Sequence, residues 1–396
     1  MNIQPLKKLL ISLETGKRPK GGAQGKGVPS LGAEHLNNYG GFNLKIEKMK
    51  YIPSDYFSKM QKGRIKKGDI LLVKDGATTG KVSMVSNDFP FEDASINEHL
   101  FLLRCDQQII LPRFLFYYLY SSYGKLEILK DFRGATIGGI SRKFSEMKIF
   151  YPSMDIQKRI VDTLDNAQSL IEKRKEQLTE MDRLIQSVFY EMFGTSFSTK
   201  SNWKTKKVGQ IFTVKSGSTP SRNEKRYWEK GTIPWIKTNE VKNNVIFSSE
   251  EKITVSGKEN SSVILFPKNT ILIAMYGQGK TRGRSAILGI EATTNQACAG
   301  LLPTDNVNTL FIWHQLMQRY NELRALGRGG NQPNLNAGLI KDFNLIVPPV
   351  ELQNKFATIV EEIESQKKVM EQSLIEMENN FNALLQKAFK GELFPE

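Results

Sequence analysis

Cysteine and histidine are scarce in this chain of 396 residues. The two cysteines, Cys105 and Cys298, and the three histidines, His35, His99 and His314, stand far apart in the sequence. A disulfide framework needs several cysteines, and a zinc site needs clustered cysteine or histidine ligands. The sequence therefore excludes a disulfide-stapled scaffold and predicts no metal site. We expect the chain to work in a reducing cytoplasm.

Long hydrophobic runs are also missing. No stretch approaches the ~18 uninterrupted apolar residues that indicate a membrane span. The opening segment places Lys7 and Lys8 before a short apolar run and lacks the longer hydrophobic region and cleavage site of a signal peptide. The composition, 39% hydrophobic and 24% charged, is ordinary for a globular protein with two or three domains. We expect neither a secretion signal nor a membrane partner.

The sequence lacks a catalytic motif with the required spacing. Three residues separate the glycines of the element 76–81, whereas a P-loop has four and a hydroxyl residue after its lysine. The element 279–281 has alanine where the first P-loop glycine belongs. The only Pro-Pro pair, Pro348-Pro349, lies in an apolar loop, unlike the polar, aromatic loop of an amino-methyltransferase. We therefore predict no catalytic residue and no bound cofactor, and we interpret both glycine-lysine elements as hairpins.

Charge is distributed in alternating blocks. The chain has a net charge of +15, with +10 in residues 1–152, +11 in residues 196–350, −2 in residues 153–195 and −4 in residues 351–396. Basic blocks attract polyanions such as nucleic acid. We therefore expect the two basic blocks to bind a polyanion and the two acidic segments to have another role.

The acidic segments are an internal repeat. In each, apolar residues alternate at spacings of three and four, the pattern of a coiled-coil helix. Each seam position in the second segment lies 196 residues after its counterpart in the first. Segments of about 38 to 40 residues would form helices of roughly 55 to 60 Å. We predict that the two helices pair antiparallel through corresponding seam positions, which include Leu178, Met181, Ile185, Leu374, Met377 and Phe381.

The repeat extends into the basic blocks. The segment 69–76 matches 270–277 as a short apolar strand that runs into glycine, and Pro152 and Pro348 precede the two acidic segments. β-Branched runs alternate with segments typical of helices, such as 112–120 and 310–326. The predicted fold is α+β, with two globular mixed α/β domains, two long antiparallel helices and an internal pseudo-two-fold symmetry. The domain boundaries are 1–152, 153–195, 196–350 and 351–396.

Two motifs carry a resemblance to a known family. The segment 216–221, followed by Tyr227-Trp228 and by 231–237, is similar to the start of many target recognition domains. The segment 328–335, followed by 348–353, is similar to the passage from such a domain into a conserved helix. With the repeat and the four-part order, the chain resembles the DNA-specificity subunit of type I restriction-modification systems along nearly its whole length. The first block departs from the pattern, because 27–32 stands where the tryptophan-containing segment stands in the second.

The resemblance implies a function for each part. Residues 1–152 and 196–350 would be target recognition domains, each contacting one half of a bipartite site in double-stranded DNA. Residues 153–195 and 351–396 would be conserved helices that set the spacer. The subunit would be non-catalytic and would direct adenine methylation and restriction by partner methyltransferase and motor-nuclease subunits.

Candidate DNA-contacting residues lie in the loops of the two blocks. Arginine and lysine bind phosphates and read guanine, and asparagine and glutamine read adenine. On that basis the candidates are Lys17, Arg18, Lys20, Lys74 and Lys81 in the first block, and Thr219, Ser221, Arg222, Lys237, Thr238, Asn239, Tyr276, Gln278, Lys280, Arg282, Arg284 and Arg328 in the second.

Two other classes of function remain open at the level of sequence. One is a stand-alone two-headed adaptor that binds nucleic acid. The other is a nuclease or methyltransferase whose site the motifs do not reveal. Action of the purified chain on DNA with magnesium or a methyl donor would identify an enzyme, and competition between duplex DNA and RNA would test the adaptor.

Overall fold

The computed structural model describes residues 2–45, 47, 49–134, 138–195, 203–277, 279–329 and 333–395. The chain divides into two compact units. The first consists of residues 1–176 and 371–396, and the second of residues 177–370. The first unit therefore combines two segments that are distant in sequence, and both units mix helix and sheet in the predicted α+β manner.

The secondary structure repeats along the chain. The strands of the first unit are β1 Asn2–Pro5, β2 Leu10–Thr15, β3 Val28–Leu31, β4 Tyr51–Ile52, β5 Ile70–Val73, β6 Val82–Met84, β7 Ser95–Ile96, β8 Leu100–Cys105 and β9 Lys148–Tyr151. Those of the second are β10 Thr205–Lys207, β11 Val214–Ser216, β12 Ile233–Ile236, β13 Val245–Ile246, β14 Glu251–Ile253, β15 Ile271–Ala274, β16 Ser285–Leu288, β17 Thr293–Thr294, β18 Cys298–Leu301 and β19 Asn344–Ile346. The α-helices are α1 Ser54–Lys59, α2 Pro112–Tyr120, α3 Ser122–Leu129, α4 Met154–Phe193, α5 Val208–Ile211, α6 Val255–Glu259, α7 Thr309–Gln318, α8 Tyr320–Ala325, α9 Ala337–Lys341 and α10 Val350–Phe389.

The sheets show that the two blocks share one topology. The first unit has sheets of strand order β2-β8-β5-β6, β4-β3-β7 and β1-β9, and the second has β11-β18-β15-β16-β13, β14-β12-β17 and β10-β19. Apart from β13, the orders correspond strand for strand, including a parallel pair in each three-stranded sheet, β3 with β7 and β12 with β17. The predicted duplication is therefore present in the fold. The hairpins β5–β6 and β15–β16 enclose the two glycine-lysine elements, as predicted.

The strand β3 occupies the place of the tryptophan-containing strand β12. Each has proline at its second position, Pro29 or Pro234, and each pairs antiparallel on one side and parallel on the other. The alignment of 27–32 with the second block is thus confirmed. In the second block, Trp235 is buried and contacts Trp228 edge to face at 5.0 Å.

The two long helices, α4 and α10, each contain 40 residues and begin two residues after Pro152 and Pro348. A buried glutamine fixes each helix start to its own unit. Gln157 accepts a hydrogen bond from the Leu111 amide and donates to the carbonyl of Pro152, and Gln353 accepts from Asn308 and donates to Pro348. These bonds satisfy amides just before α2 and α7 that would otherwise lack acceptors.

Within each unit, the segments of α4 and α10 run antiparallel. In the first unit, Leu164 and Ile171, from the early part of α4, share a core with Phe381 and Leu385, from the late part of α10. In the second unit, the late part of α4 supplies Ile185, Phe189 and Phe193, and the early part of α10 supplies Phe356, Val360 and Ile363. Burying each such side chain contributes about 1.5–3 kcal/mol, so the helices are integral to both cores.

One helix prediction is wrong in its extent. The segment 310–326, predicted as one helix, forms α7 and α8 with a break at Arg319. The Arg319 side chain is buried, and it bonds to the carbonyl of Asn344 and to Glu322. A buried guanidinium must be hydrogen-bonded. The bonds of Arg319 to Asn344 and Glu322 meet this requirement at the residue where the helix breaks.

In the part of the chain that the structure describes, both cysteines are shielded from solvent and no helix could span a membrane. Both cysteines are free and buried, and burial raises the pKa of Cys298 to about 11. No helix within the described ranges is long and apolar enough to cross a membrane.

Candidate nucleic-acid interface

Four loops of the first unit meet at one end of its four-stranded sheet. They contain residues 16–22, 74–81, 97–99 and 133–139, of which 135–137 are outside the described residues. We call them the first loop cluster. Arg18 pairs with Glu98 at 3.2 Å, and His99 contacts both Glu98 at 3.5 Å and Asp75 at 2.5 Å. The amide of Gly76 donates to the carbonyl of Gly138 at 3.1 Å. These contacts link all four loops.

The second unit has an equivalent set. The second loop cluster contains residues 217–222, 237–239, 275–284, 295–297 and 328–335, without the undescribed 278 and 330–332. Thr219 donates to Gln296 and Thr238 donates to Asn295, which joins three of the loops. Backbone bonds from Met275 to the carbonyl of Ala297 and from Leu335 to the carbonyl of Met275 join the rest.

A glycine allows the close approach of two loops in each cluster. A Cβ on Gly16 would lie 1.8 Å from the carbonyl oxygen of Ile96, and a Cβ on Gly217 would lie 2.3 Å from the oxygens of Thr294 and Asn295. No side chain fits at such distances. The glycines therefore set the position of the loops that carry Lys17 and Thr219.

The hairpin turn of the second loop cluster is fixed by hydrogen bonds from side chains of α8. Arg324 donates to the carbonyl of Gly279 at 2.6 Å and to that of Arg282 at 3.0 Å, and Tyr320 donates to the carbonyl of Lys280 at 2.8 Å. Three carbonyls of the turn are thereby satisfied by α8. The opposite surface of the turn presents Lys280 to solvent. We call this contact the hairpin clamp.

Several predicted cations have no ionic partner among the described residues. They have accessible side chains without a hydrogen bond or salt bridge, which suits them to phosphate oxygens. They are Lys17 and Lys20 in the first cluster and Lys280, Arg284 and Arg328 in the second. Tyr276 is 40% exposed beside them, and Lys81 makes a long bond of 3.3 Å to the carbonyl of Leu36. Gln278, also predicted, is outside the described residues.

Other predicted cations are paired with carboxylates. Lys237 contacts Glu250 at 2.6 Å and Glu251 at 3.3 Å, and these hydrogen bonds raise the pKa of the lysine. Arg222 pairs with Glu251, whose pKa it lowers, and its guanidinium lies 3.7 Å from the ring centre of Trp228. In the first cluster Arg18 is paired as above, and Lys74 lies 3.6 Å from Asp75. These cations organise loops through charge pairs and a stacked ring.

The remaining predicted residues differ in accessibility. Ser221 and Asn239 are exposed, whereas Thr238 is buried and its hydroxyl is engaged by Asn295. The Nε of Arg282 is buried and lacks a hydrogen-bond partner within the described ranges. The groups of the second loop cluster that are accessible to a ligand are therefore its exposed hydroxyl, amide and cationic side chains.

The structure adds residues that the sequence did not single out. Arg133 is exposed beside Gly139 in the first cluster and lies 3.8 Å from Asp131. Gln296 and Arg324 support the second cluster. Arg133 could have been found, because it matches Arg328 in the repeat, whereas the other two become apparent only when the loops are brought together.

The predicted seam residues are divided between the two cores, so Ile185 and Phe381, which occupy corresponding positions of the repeat, do not share a core as predicted. Ile185 and Met181 pack in the core of the second unit, where Leu178 is half-buried. The other three, Leu374, Met377 and Phe381, pack in the core of the first unit. The ring centres of Phe381 and Tyr117 lie 6.1 Å apart in an edge-to-face arrangement.

The arrangement is suited to recognition. Each cluster combines exposed cations, hydroxyls and amides on loops fixed by a sheet, which are the groups that bind phosphates and base edges. No group of three histidine, cysteine, aspartate or glutamate side chains in the described ranges could hold a metal ion. Exposed cations clustered on one surface are the electrostatic footprint of a nucleic-acid-binding protein.

A known protein family matches both halves of the chain. The family model described as "Type I restriction modification DNA specificity domain" matches residues 10–180 and again residues 200–379. Together these ranges cover most of the chain, which belongs to this family of non-catalytic DNA-recognition subunits that assemble with methylase and restriction subunits.

Individual relatives are distant in sequence. The chain is 26% identical over 310 residues to the Type I restriction enzyme EcoR124I/EcoR124II specificity subunit of Escherichia coli, covering 76% of this chain and 73% of that one. It is 30% identical over 194 residues to the MjaIX specificity subunit of Methanocaldococcus jannaschii, covering 46% and 44%.

Solved structures share the fold. A chain from a study of complex assembly and conformational transition of the type I R-M system matches with a TM-score of 0.65 at 15% identity, covering 99% of this chain and 98% of that one. The type I restriction-modification S subunit from M. genitalium matches with a TM-score of 0.54 at 17% identity, covering 98% and 96%.

Proposed function

We propose that this chain recognises a bipartite target in double-stranded DNA and directs adenine methylation and restriction of that target by partner subunits. The observation that carries the proposal is the pair of loop clusters, which lie at equivalent strand ends in two units of one topology. Each cluster has its own exposed cations and polar groups. One cluster would contact each half of the target.

Phosphate binding and base reading are divided among the residues of a cluster. The accessible Lys17 and Lys20, or Lys280, Arg284 and Arg328, would neutralise phosphates and fix the position of the unit on DNA. Exposed polar groups such as Ser221 and Asn239 would contact base edges. The two clusters carry different residues, so the two half-sites should differ in sequence.

The proposed segments follow the charge pattern. Residues 1–152 and 196–350 would be the two target recognition domains, and residues 153–195 and 351–396 the conserved helices. The subunit would work in the cytoplasm with its methyltransferase and motor-nuclease partners.

The test of bipartite recognition is methylome sequencing of a strain that expresses this chain with its partner subunits. Replacing residues 196–350 with the same block of a relative should change one half of the methylated motif and leave the other unchanged. The matched control replaces residues 1–152 and should change only the opposite half. If either exchange altered both halves, independent recognition would be wrong.

A binding experiment tests the second cluster directly. Lys280→Gln should lower the affinity of the purified chain for duplex DNA and reduce the slope of log K against log salt by about 0.9, the value for one phosphate contact. The control is Lys268→Gln, because Lys268 is exposed just before the opposite end of β15. Equal losses in both variants, or preference for RNA over duplex DNA, would argue against this interface.

A further inference from the structure

The first unit contains a cavity of about 800 Å³ beside its hairpin turn. Three parts of the unit form its walls: the turn 77–82, the junction of α2 and α3 at 119–125, and the last turns of α10 at 382–390. This volume lies within the range of small-molecule sites, ~300–1,000 Å³. The proposed role of the loop clusters in DNA binding does not account for a cavity of this size behind the turn.

The cavity is cationic. Lys81, Lys125 and Lys390 line it from the turn, α3 and the end of α10, and none of the described lining residues is acidic. Lys125 and Lys390 have exposed side chains without an ionic partner within the described ranges. Three ammonium groups with no carboxylate among the described lining residues favour an anionic ligand.

Hydrogen-bonding groups and rings complete the walls. Hydroxyl groups of Thr78, Thr79 and Ser122 line the cavity together with the lysines. The partly exposed rings of Tyr123 and Phe150 line another side. These features match a phosphorylated group joined to a planar, apolar ring.

The second unit fills the corresponding place with its own side chains. Gly80 and Gly283 occupy equivalent turn positions, since each donates its amide to the last residue of the preceding strand. Gly283 faces Arg324, which clamps the turn together with Tyr320, whereas Gly80 faces Leu129 and Lys125. In the first unit Thr78, Thr79 and Ser122 line the cavity, whereas in the second unit Tyr320 and Arg324 bond directly to the turn.

We propose that this cavity binds a small phosphorylated molecule with a planar ring, of the nucleotide class. The lysines bind the phosphate groups, and the ring packs against Tyr123 and Phe150. The bound molecule bridges the hairpin turn to α3 and α10, as Arg324 bridges the second turn to α8.

Calorimetric titration of the purified full-length chain with ATP in the presence of EDTA tests the proposal, with inorganic phosphate as a second probe. We expect one ATP site per chain and binding of phosphate at least tenfold weaker. Lys125→Gln and Lys390→Gln should each weaken ATP binding about tenfold or more, since each removes a charge-assisted contact. Lys143→Gln, an exposed lysine of the same unit that does not line the cavity, should bind ATP normally.

A second variant and a DNA arm distinguish the alternatives. Ser122→Tyr introduces a ring like that of Tyr320 and should abolish ATP binding while leaving duplex DNA binding unchanged. Absence of ATP binding at millimolar concentration, or an equal loss in Lys143→Gln, would overturn the proposal. Displacement of ATP by duplex DNA, with lowered DNA affinity in Lys125→Gln, would overturn it by assigning the lysines to the DNA surface.

Discussion

The hairpin clamp makes a measurable prediction about the second loop cluster. In Arg324→Gln the guanidinium that donates to the carbonyls of Gly279 and Arg282 is lost. A hydrogen bond from a charged group contributes about 1.5–3 kcal/mol, and solvent screening at this partly exposed site reduces the total for the pair to about 2 kcal/mol. The turn should therefore open about 30 times more often, since 1.4 kcal/mol corresponds to a factor of ten.

Hydrogen exchange measures that opening. The amide of Gly283, which donates to Ala274 at 2.9 Å, should exchange about 30-fold faster in Arg324→Gln, whereas amides in the centre of β15 should be unaffected. Recognition of the second half-site should weaken and that of the first should not. The matched control is Arg183→Gln, because Arg183 makes an exposed pair with Glu180 on α4, away from the turn.

Two results would refute the reasoning. Unchanged exchange at Gly283 would show that Arg324 does not hold the turn. Faster exchange with full affinity for both half-sites would show that the turn is not part of the interface.

Three further changes have defined outcomes. Gly217→Ala places a Cβ 2.3 Å from the oxygen of Thr294, so it should destabilise the second unit by about 1–3 kcal/mol in urea unfolding and impair only one half-site. Glu250→Gln releases Lys237 from its nearer carboxylate and should steepen the salt dependence of DNA binding by up to ~0.9, as measured by fluorescence anisotropy. Burial lowers the pKa of His314 to about 4, so the unfolded chain is protonated first and stability falls as the pH drops below about 6.5. The loss should be about 2 kcal/mol between pH 7 and pH 5, and His314→Phe should abolish it in urea unfolding at the two pH values.

Local patterns in the sequence were sufficient to predict the repeated elements. The apolar runs at 70–73 and 271–274 become strands, and the three-four periodicity becomes two helices of 40 residues. Each of these patterns is satisfied within one element, so its period is readable along the chain. The break at Arg319 was missed because its partner, Asn344, lies 25 residues further on.

The site was less predictable than the fold. Lys237 and Arg222 have the residue type of phosphate ligands, but tertiary contacts bring Glu250 and Glu251 to them. Conversely, Arg324 fixes the turn by donating to the carbonyls of Arg282 and Gly279, which lie 42 and 45 residues away in the sequence. Residue type identifies a cation, whereas the folded chain determines which cations retain a free charge for a ligand.

The division of the chain into units reverses the order in which its parts become complete during synthesis. The second unit is continuous, so all of its residues exist once residue 370 has been translated. The first unit begins earlier but still lacks Phe381 and Leu385, which belong to its core and are translated after the second unit. Domains near the amino terminus usually fold first on the ribosome. Here the amino-terminal part of the first unit must wait, with part of its apolar core uncovered, for residues 371–396 to emerge.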